Sequence, residues 1–256
     1  MRSIYDIPLN SAEGNPNFLD QFKGKVTMIV NTTVGCGNAN QLEVLQWLQD
    51  KYGGDDFQIV GIPTNDYCGP GVTKGKWSEG ITCGLDSKNY GVDAYGVTFQ
   101  YSEMVGSNPH PQVSQAHGKN GLGQDNLPVH PMYKEISDQM AEIKQTNYKL
   151  GINPSQDYYS WWLNLGFDQG ETMGGNFEKY LIDKDGYVIK HYNCTVLNYD
   201  IEKTLKDTLS EEGHPVMMGM GRSKRIFEEE YDLVCKDIES AISGQRSILN
   251  NEKVMV

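Results

Sequence analysis

Val26-Thr27-Met28-Ile29-Val30-Asn31-Thr32-Thr33-Val34-Gly35-Cys36-Gly37-Asn38, followed by Gln41-Leu42-Glu43-Val44-Leu45-Gln46-Trp47-Leu48-Gln49-Asp50, is the stretch on which the fold turns. Val26 to Val30 is short, apolar and rich in β-branched residues, and it follows the turn-like Lys23-Gly24-Lys25. It reads as a buried strand. Leu42, Leu45 and Leu48 recur at helical spacing, so a helix starts near Gln41. Cys36 therefore sits on a loop between a buried strand and a helix N-terminus. Free backbone N–H groups and the positive end of the helix dipole favour the thiolate there, the reactive form. The same placement suits an inert packed thiol, since free cysteine is among the most buried residue types.

Phe57-Gln58-Ile59-Val60-Gly61-Ile62-Pro63 reads as a second buried strand. Residues 69–84, rich in Gly and Lys, read as a loop or broken helix. Val97-Thr98-Phe99 is expected to be a short strand, and 106–128 an exposed polar insertion. A helix is expected from Pro131 to Lys144. Residues 177–183 and 187–192 flank Lys184-Asp185-Gly186, a hairpin signal, and an amphipathic helix is expected at 201–209. The order βαβ, a helix-bearing connection, a hairpin and a final helix predicts an α/β, thioredoxin-like sandwich.

The 256 residues suit one large domain or a domain with extensions. A formal net charge of −12 argues against binding to a nucleic-acid backbone, which needs a basic footprint. No transmembrane run is evident, and Met1-Arg2-Ser3-Ile4-Tyr5-Asp6 lacks the apolar core of a signal peptide. Five cysteines without a secretory signal suit a reducing, cytoplasmic setting. The chain has no Cys-x-x-Cys and its five histidines are scattered, so neither a metal nor another cofactor is expected. Asn193-Cys194-Thr195 matches a glycosylation acceptor, which carries little weight without secretion.

Specific residues carry a resemblance. Ser3-Ile4-Tyr5-Asp6-Ile7, Phe22-Lys23-Gly24-Lys25-Val26 running into Cys36-Gly37, and Gly61-Ile62-Pro63-Thr64-Asn65 come first. Val97-Thr98-Phe99, His130-Pro131-Met132-Tyr133 and Asn176-Phe177-Glu178-Lys179-Tyr180-Leu181-Ile182-Asp183 follow in order. Together they resemble the glutathione peroxidase family over residues 3–212, interrupted by insertions. The resemblance implies a thioredoxin-like sandwich of the glutathione peroxidase type and a peroxidatic nucleophile at Cys36. It implies an amide stabiliser at Asn176, with Gly37 and Asn38 N–H groups in the thiolate site. Cys83 lies where thioredoxin-dependent members carry a resolving cysteine; a surface thiol with no partner is the bland reading.

The chain also departs from the family pattern. The family's Trp before the Asn is Gly175 here, and its Gln is missing, with Cys68 or Gly69 near that place. Each lost donor of this oxyanion-hole type typically costs about 100- to 1000-fold in rate. Trp161-Trp162 could return an indole to the pocket, or simply pack in a core or interface. Basic clusters suited to glutathione are not evident around the site, so a thioredoxin-like protein dithiol is the favoured reductant. The expected function is a thiol peroxidase for hydrogen peroxide or small organic hydroperoxides. The alternative is a non-catalytic structural or interaction protein that uses this scaffold within a larger assembly, such as a viral particle.

Beyond residue 212 the resemblance stops. Domain organisation is read as 1–212, a Met/Gly-rich linker at 213–222, and a helical extension at 223–256. Ile226, Phe227, Tyr231, Val234, Cys235, Ile238 and Ile242 share one helical face. That stripe must be buried, either on the same domain or through the 223–242 helix against a second copy or an assembly partner.

Overall fold

The computed structural model describes residues 1–34, 38–64, 83–107, 127–147, 176–194, 196–198 and 224–244. Strand β1 (Val26–Thr32) is buried along its whole length. Among the described residues it lies at the centre of a five-stranded sheet of order β3-β2-β1-β4-β5. β2 (Phe57–Pro63) runs parallel to it, with Val26 opposite Phe57 and Thr32 opposite Pro63. β4 (Lys179–Ile182) runs antiparallel on the other side, with Val30 opposite Lys179. β3 (Gln100–Tyr101) adds to β2 in parallel, and β5 (Val188–Tyr192) closes the hairpin with β4.

Side-chain alternation along β1 feeds two cores. Val26, Met28 and Val30 pack with Leu42, Leu45 and Leu48 of helix α1 (Gln41–Tyr52). Ile29 faces the other way, among Ile4, Phe18, Leu19 and Phe22, together with Met132 and Ile136 of helix α3 (Pro131–Asn147). A strand covered on both faces needs the near-continuous apolar run that this segment has. The arrangement is the thioredoxin-like sandwich that the element order predicts.

Two expectations need adjustment. The third strand forms at Gln100–Tyr101 and not at 97–99. Val97 N–H already bonds Gly91 O at 3.2 Å, and Thr98 N–H bonds Gln46 Oε1 at 2.7 Å. Those donors are committed before a ladder can begin. The second is helix α2 (Gly84–Tyr95), which sequence reading missed. Cys83 is its N-cap, Asp86 accepts the Cys83 N–H at 3.2 Å, and Gly96 ends it with φ +65°.

The C-terminal helix, α4 (Lys224–Ile242), packs on its own chain. Phe227, Val234, Cys235 and Ile238 join the core beneath α1, and the Phe227 ring meets Trp47 edge-on at 6.4 Å. Tyr52 donates to Glu239 at 2.6 Å. The apolar stripe that invited a partner is thus covered within the chain, so the assembly reading through this helix loses its apolar face. The 201–209 helix, the 213–222 linker, the segment 69–82 and the body of the insertion lie outside the described residues.

Candidate active site

The site is built where β1 ends. Cys36 and Gly37 lie outside the described residues, as do Cys68, Gly175, Trp161 and Trp162. Asn38 is buried, and its Oδ1 accepts the Asn198 amide at 2.7 Å. Its carbonyl takes the N–H of Gln41 at 3.0 Å, which opens α1. Asn176 is nine-tenths buried immediately before β4. Phe177 N–H bonds Asn31 O at 2.7 Å while Asn31 N–H bonds Glu178 O at 3.2 Å. Two residues thus answer one residue of β1, a bulge, with Phe177 at φ +64°. A non-glycine residue in that region costs on the order of 1–3 kcal/mol, and such bulges re-aim side chains next to active sites.

Among the buried oxygens with no hydrogen-bond partner in the described residues are Thr32 Oγ1, Thr64 Oγ1 and Asn176 Oδ1; the Tyr101 hydroxyl, deeper in the core, is another. The first three lie at one edge of the sheet, at the carboxyl ends of β1 and β2 and the start of β4. Thr64 N–H bonds Thr32 O at 2.9 Å, which joins two of these positions. An unmet buried polar group costs about 1–3 kcal/mol. Their clustering gives this edge polar atoms that segments outside the described residues, or a bound molecule, would have to meet.

Beneath the edge sits Lys179, fully buried. Its ammonium donates to Gln41 Oε1, to Val196 O, and to Asn193 O at 3.4 Å. Gln41 Nε2 in turn bonds Cys194 O at 2.7 Å. This network ties the first residue of α1 to the turn after β5, and it fixes the helix start that follows Cys36 in sequence. Cys194 itself is a buried free thiol. On the opposite face Glu178 pairs with His191, whose ring stacks on Tyr180 at 5.1 Å. His130 is held below its ordinary pKa of 6.5, chiefly by burial, and its Nδ1 accepts Met132 N–H at 3.2 Å.

Sequence reading missed Thr32, Thr64, Gln41 and Lys179. A lysine inside an apolar strand is the one signal that could have exposed this network, because lysine is almost never fully buried unless it is paired. Cys83 is exposed at the head of α2. Cys36, which it is expected to meet, lies outside the described residues. Among the described residues no group of three His, Cys, Asp or Glu side chains could hold a metal ion, and no helix is long and apolar enough to cross a membrane.

Residues 4–113 match the family described as glutathione peroxidase. The glutathione peroxidase homolog BsaA of Staphylococcus epidermidis is 38% identical over 193 residues, which cover 75% of this chain and 90% of that protein. A hydroperoxy fatty acid reductase of Synechocystis is 28% identical over 208 residues, 79% of this chain and 96% of that one. A glutathione peroxidase-like peroxiredoxin of Saccharomyces cerevisiae is 27% identical over 213 residues, 82% and 99% respectively. With the parallel β1–α1–β2 unit and the polar sheet edge in place, the chain belongs to the glutathione peroxidase family.

Proposed function

We propose that this chain is a thiol peroxidase that reduces hydrogen peroxide or organic hydroperoxides through Cys36. The observation that carries this reading is Asn176. It is a buried amide whose Oδ1 has no partner among the described residues, tied through Phe177 to the strand that continues in sequence to Cys36. In the proposed step the Cys36 thiolate attacks the distal peroxide oxygen and the O–O bond breaks. Cys36 becomes a sulfenic acid, and the alkoxide or hydroxide leaves after taking up the thiol's proton. Gly37 and Asn38 N–H groups stabilise the thiolate, and Asn176 orients the peroxide. Condensation of the sulfenic acid with the Cys83 thiol releases water and leaves a disulfide, which a protein dithiol reduces. An organic hydroperoxide is favoured by one relative's name, hydroperoxy fatty acid reductase. Residues 1–212 form the peroxidase unit, with the 223–256 segment appended, and the working compartment is the reducing cytoplasm.

Limited peroxide followed by a sulfenate trap and peptide mapping tests this. Label on Cys36 before Cys68, Cys83, Cys194 and Cys235 is the expected result. An unmodified Cys36 beside a reacting Cys68 or Cys83 overturns it and returns the scaffold reading.

A further inference from the structure

Helix α4 carries a thiol that the peroxidase reading leaves unused. Cys235 is 5% exposed, and its Sγ lies 3.6 Å from Nζ of Lys51 in the last turn of α1. The same ammonium sits 4.8 Å from the ring centroid of Tyr52 and 6.0 Å from that of Tyr231. Two aromatic faces thus hold a head group, otherwise at the solvent boundary, against the sulfur. Both phenols register the thiol. Tyr52 is raised chiefly by burial, with Cys235 and Glu239 beside its hydroxyl adding to the shift. Tyr231 is pushed up to about 12 by burial and then by the Cys235 charge.

We infer that Cys235 and Lys51 form a covalent modification site, distinct from Cys36, at which a hydroperoxide drives an S–N bond between α4 and α1. In the first step Cys235 sulfur takes the distal oxygen of the hydroperoxide. The O–O bond breaks, and the products are Cys235 sulfenic acid and the alcohol or water. In the second step Lys51, as the free amine, attacks that sulfur. The S–N bond forms, the S–O bond breaks, and hydroxide leaves as water with one N–H proton. The proton that had made the amine an ammonium goes to solvent. The product is a sulfenamide, of the kind sulfenic acids form with nearby nitrogen. A dithiol reverses it by thiolate attack on the sulfur, which releases the amine. The bond would join residues 184 positions apart in sequence and fasten the C-terminal helix to the domain under oxidising conditions.

The test treats the full chain with tert-butyl hydroperoxide, digests it without reductant and maps the peptides by mass. A linked pair containing Cys235 and Lys51, two hydrogens lighter than its parts and released by a dithiol, is expected. Lys51→Arg keeps the charge but removes the primary amine. It should abolish the linked pair and raise sulfenate-trap labelling of Cys235 at least tenfold. Absence of the pair in the unaltered chain, or equal labelling of both proteins, overturns the inference. The pair should also form in Cys36→Ser, so it would survive failure of the peroxidase reading. Its loss in that variant would overturn direct oxidation of Cys235 by hydroperoxide.

Discussion

The phenol of Tyr192 donates to Asp237 Oδ2 at 2.7 Å, crossing from the last strand of the sheet to the C-terminal helix. The same carboxylate takes the Lys190 ammonium at 3.2 Å, with side chains only 8% and 11% exposed. Removing one partner of a buried ion pair costs about 3–5 kcal/mol, because the other charge stays buried. Asp237→Ala should therefore lose stability of that order in urea unfolding, and Asp237→Asn clearly less. An unchanged midpoint for Asp237→Ala would mean that α4 does not belong to the cooperative unit.

Cys83 caps α2, and serine is among the preferred residues at that position. Cys83→Ser should keep the cap, with a thermal midpoint within a degree or two of the parent, about 0.5 kcal/mol. Slower turnover, or over-oxidised Cys36, in this variant would then report thiol chemistry alone. Turnover equal to that of the parent would remove the resolving role.

Lys179→Met keeps the aliphatic stem but strips the donor from Gln41 Oε1, Asn193 O and Val196 O. Each acceptor left unmet costs about 1–3 kcal/mol. A lower unfolding midpoint and faster proteolysis around 193–198 are expected. Stability equal to that of the parent would show that the network does not hold α1 to this turn.

Alkaline pH should unfold the protein through its buried phenols. Tyr5 and Tyr192 are both raised above the ordinary 10.0 chiefly by burial, and Tyr192 further by the Asp237 charge. Unfolded phenols release their protons near 10 while the folded ones hold them. The contribution is full below about 10 and is lost as pH rises through the folded values. Unfolding free energies measured across that range should fall, and Tyr192→Phe should flatten the fall.

Gly175→Trp restores the indole that relatives of this type would place before Asn176. If the pocket still performs peroxide chemistry, the rate should rise about tenfold or more. If side chains have filled it, the variant should lose about 1–3 kcal/mol with no gain in rate. Stopped-flow peroxide consumption and a melt on one preparation separate the two.

The sheet was legible because its strands announce themselves. β1 and β2 are near-continuous apolar runs, and Lys184-Asp185-Gly186 marks the hairpin, with Gly186 at φ +90°. Helix α2 was not legible. Asn89 and Gly91 weaken its propensity, and its main sequence signals are a cysteine cap, Asp86 three residues on, and a terminal glycine. At the site, Asn38 and Asn176 could be assigned roles from a motif, whereas Thr32 and Thr64 could not, and Lys179 showed only as an odd lysine in an apolar strand. Their importance lies in which neighbours they have or lack, and pattern does not encode that. The stripe on α4 was readable as a buried face. What covers it is a tertiary fact, carried by Trp47, Tyr52 and Tyr192.

The position of β1 also bears on how the chain is born. Its antiparallel neighbour begins at Lys179 and the helix sealing its lower face ends at Ile242. At about 5–20 residues per second, the ribosome makes Cys36 roughly ten to forty seconds before that helix is complete. For about the first seven to thirty seconds of that interval, until Asn176 and β4 are made, the candidate nucleophile travels without half of its sheet or the amide proposed to accompany it. Cys83, the proposed resolving thiol, follows Cys36 by about two to nine seconds, so oxidant met before then finds Cys36 alone. If Cys36 is the nucleophile, redox conditions during synthesis act on it before any finished site exists.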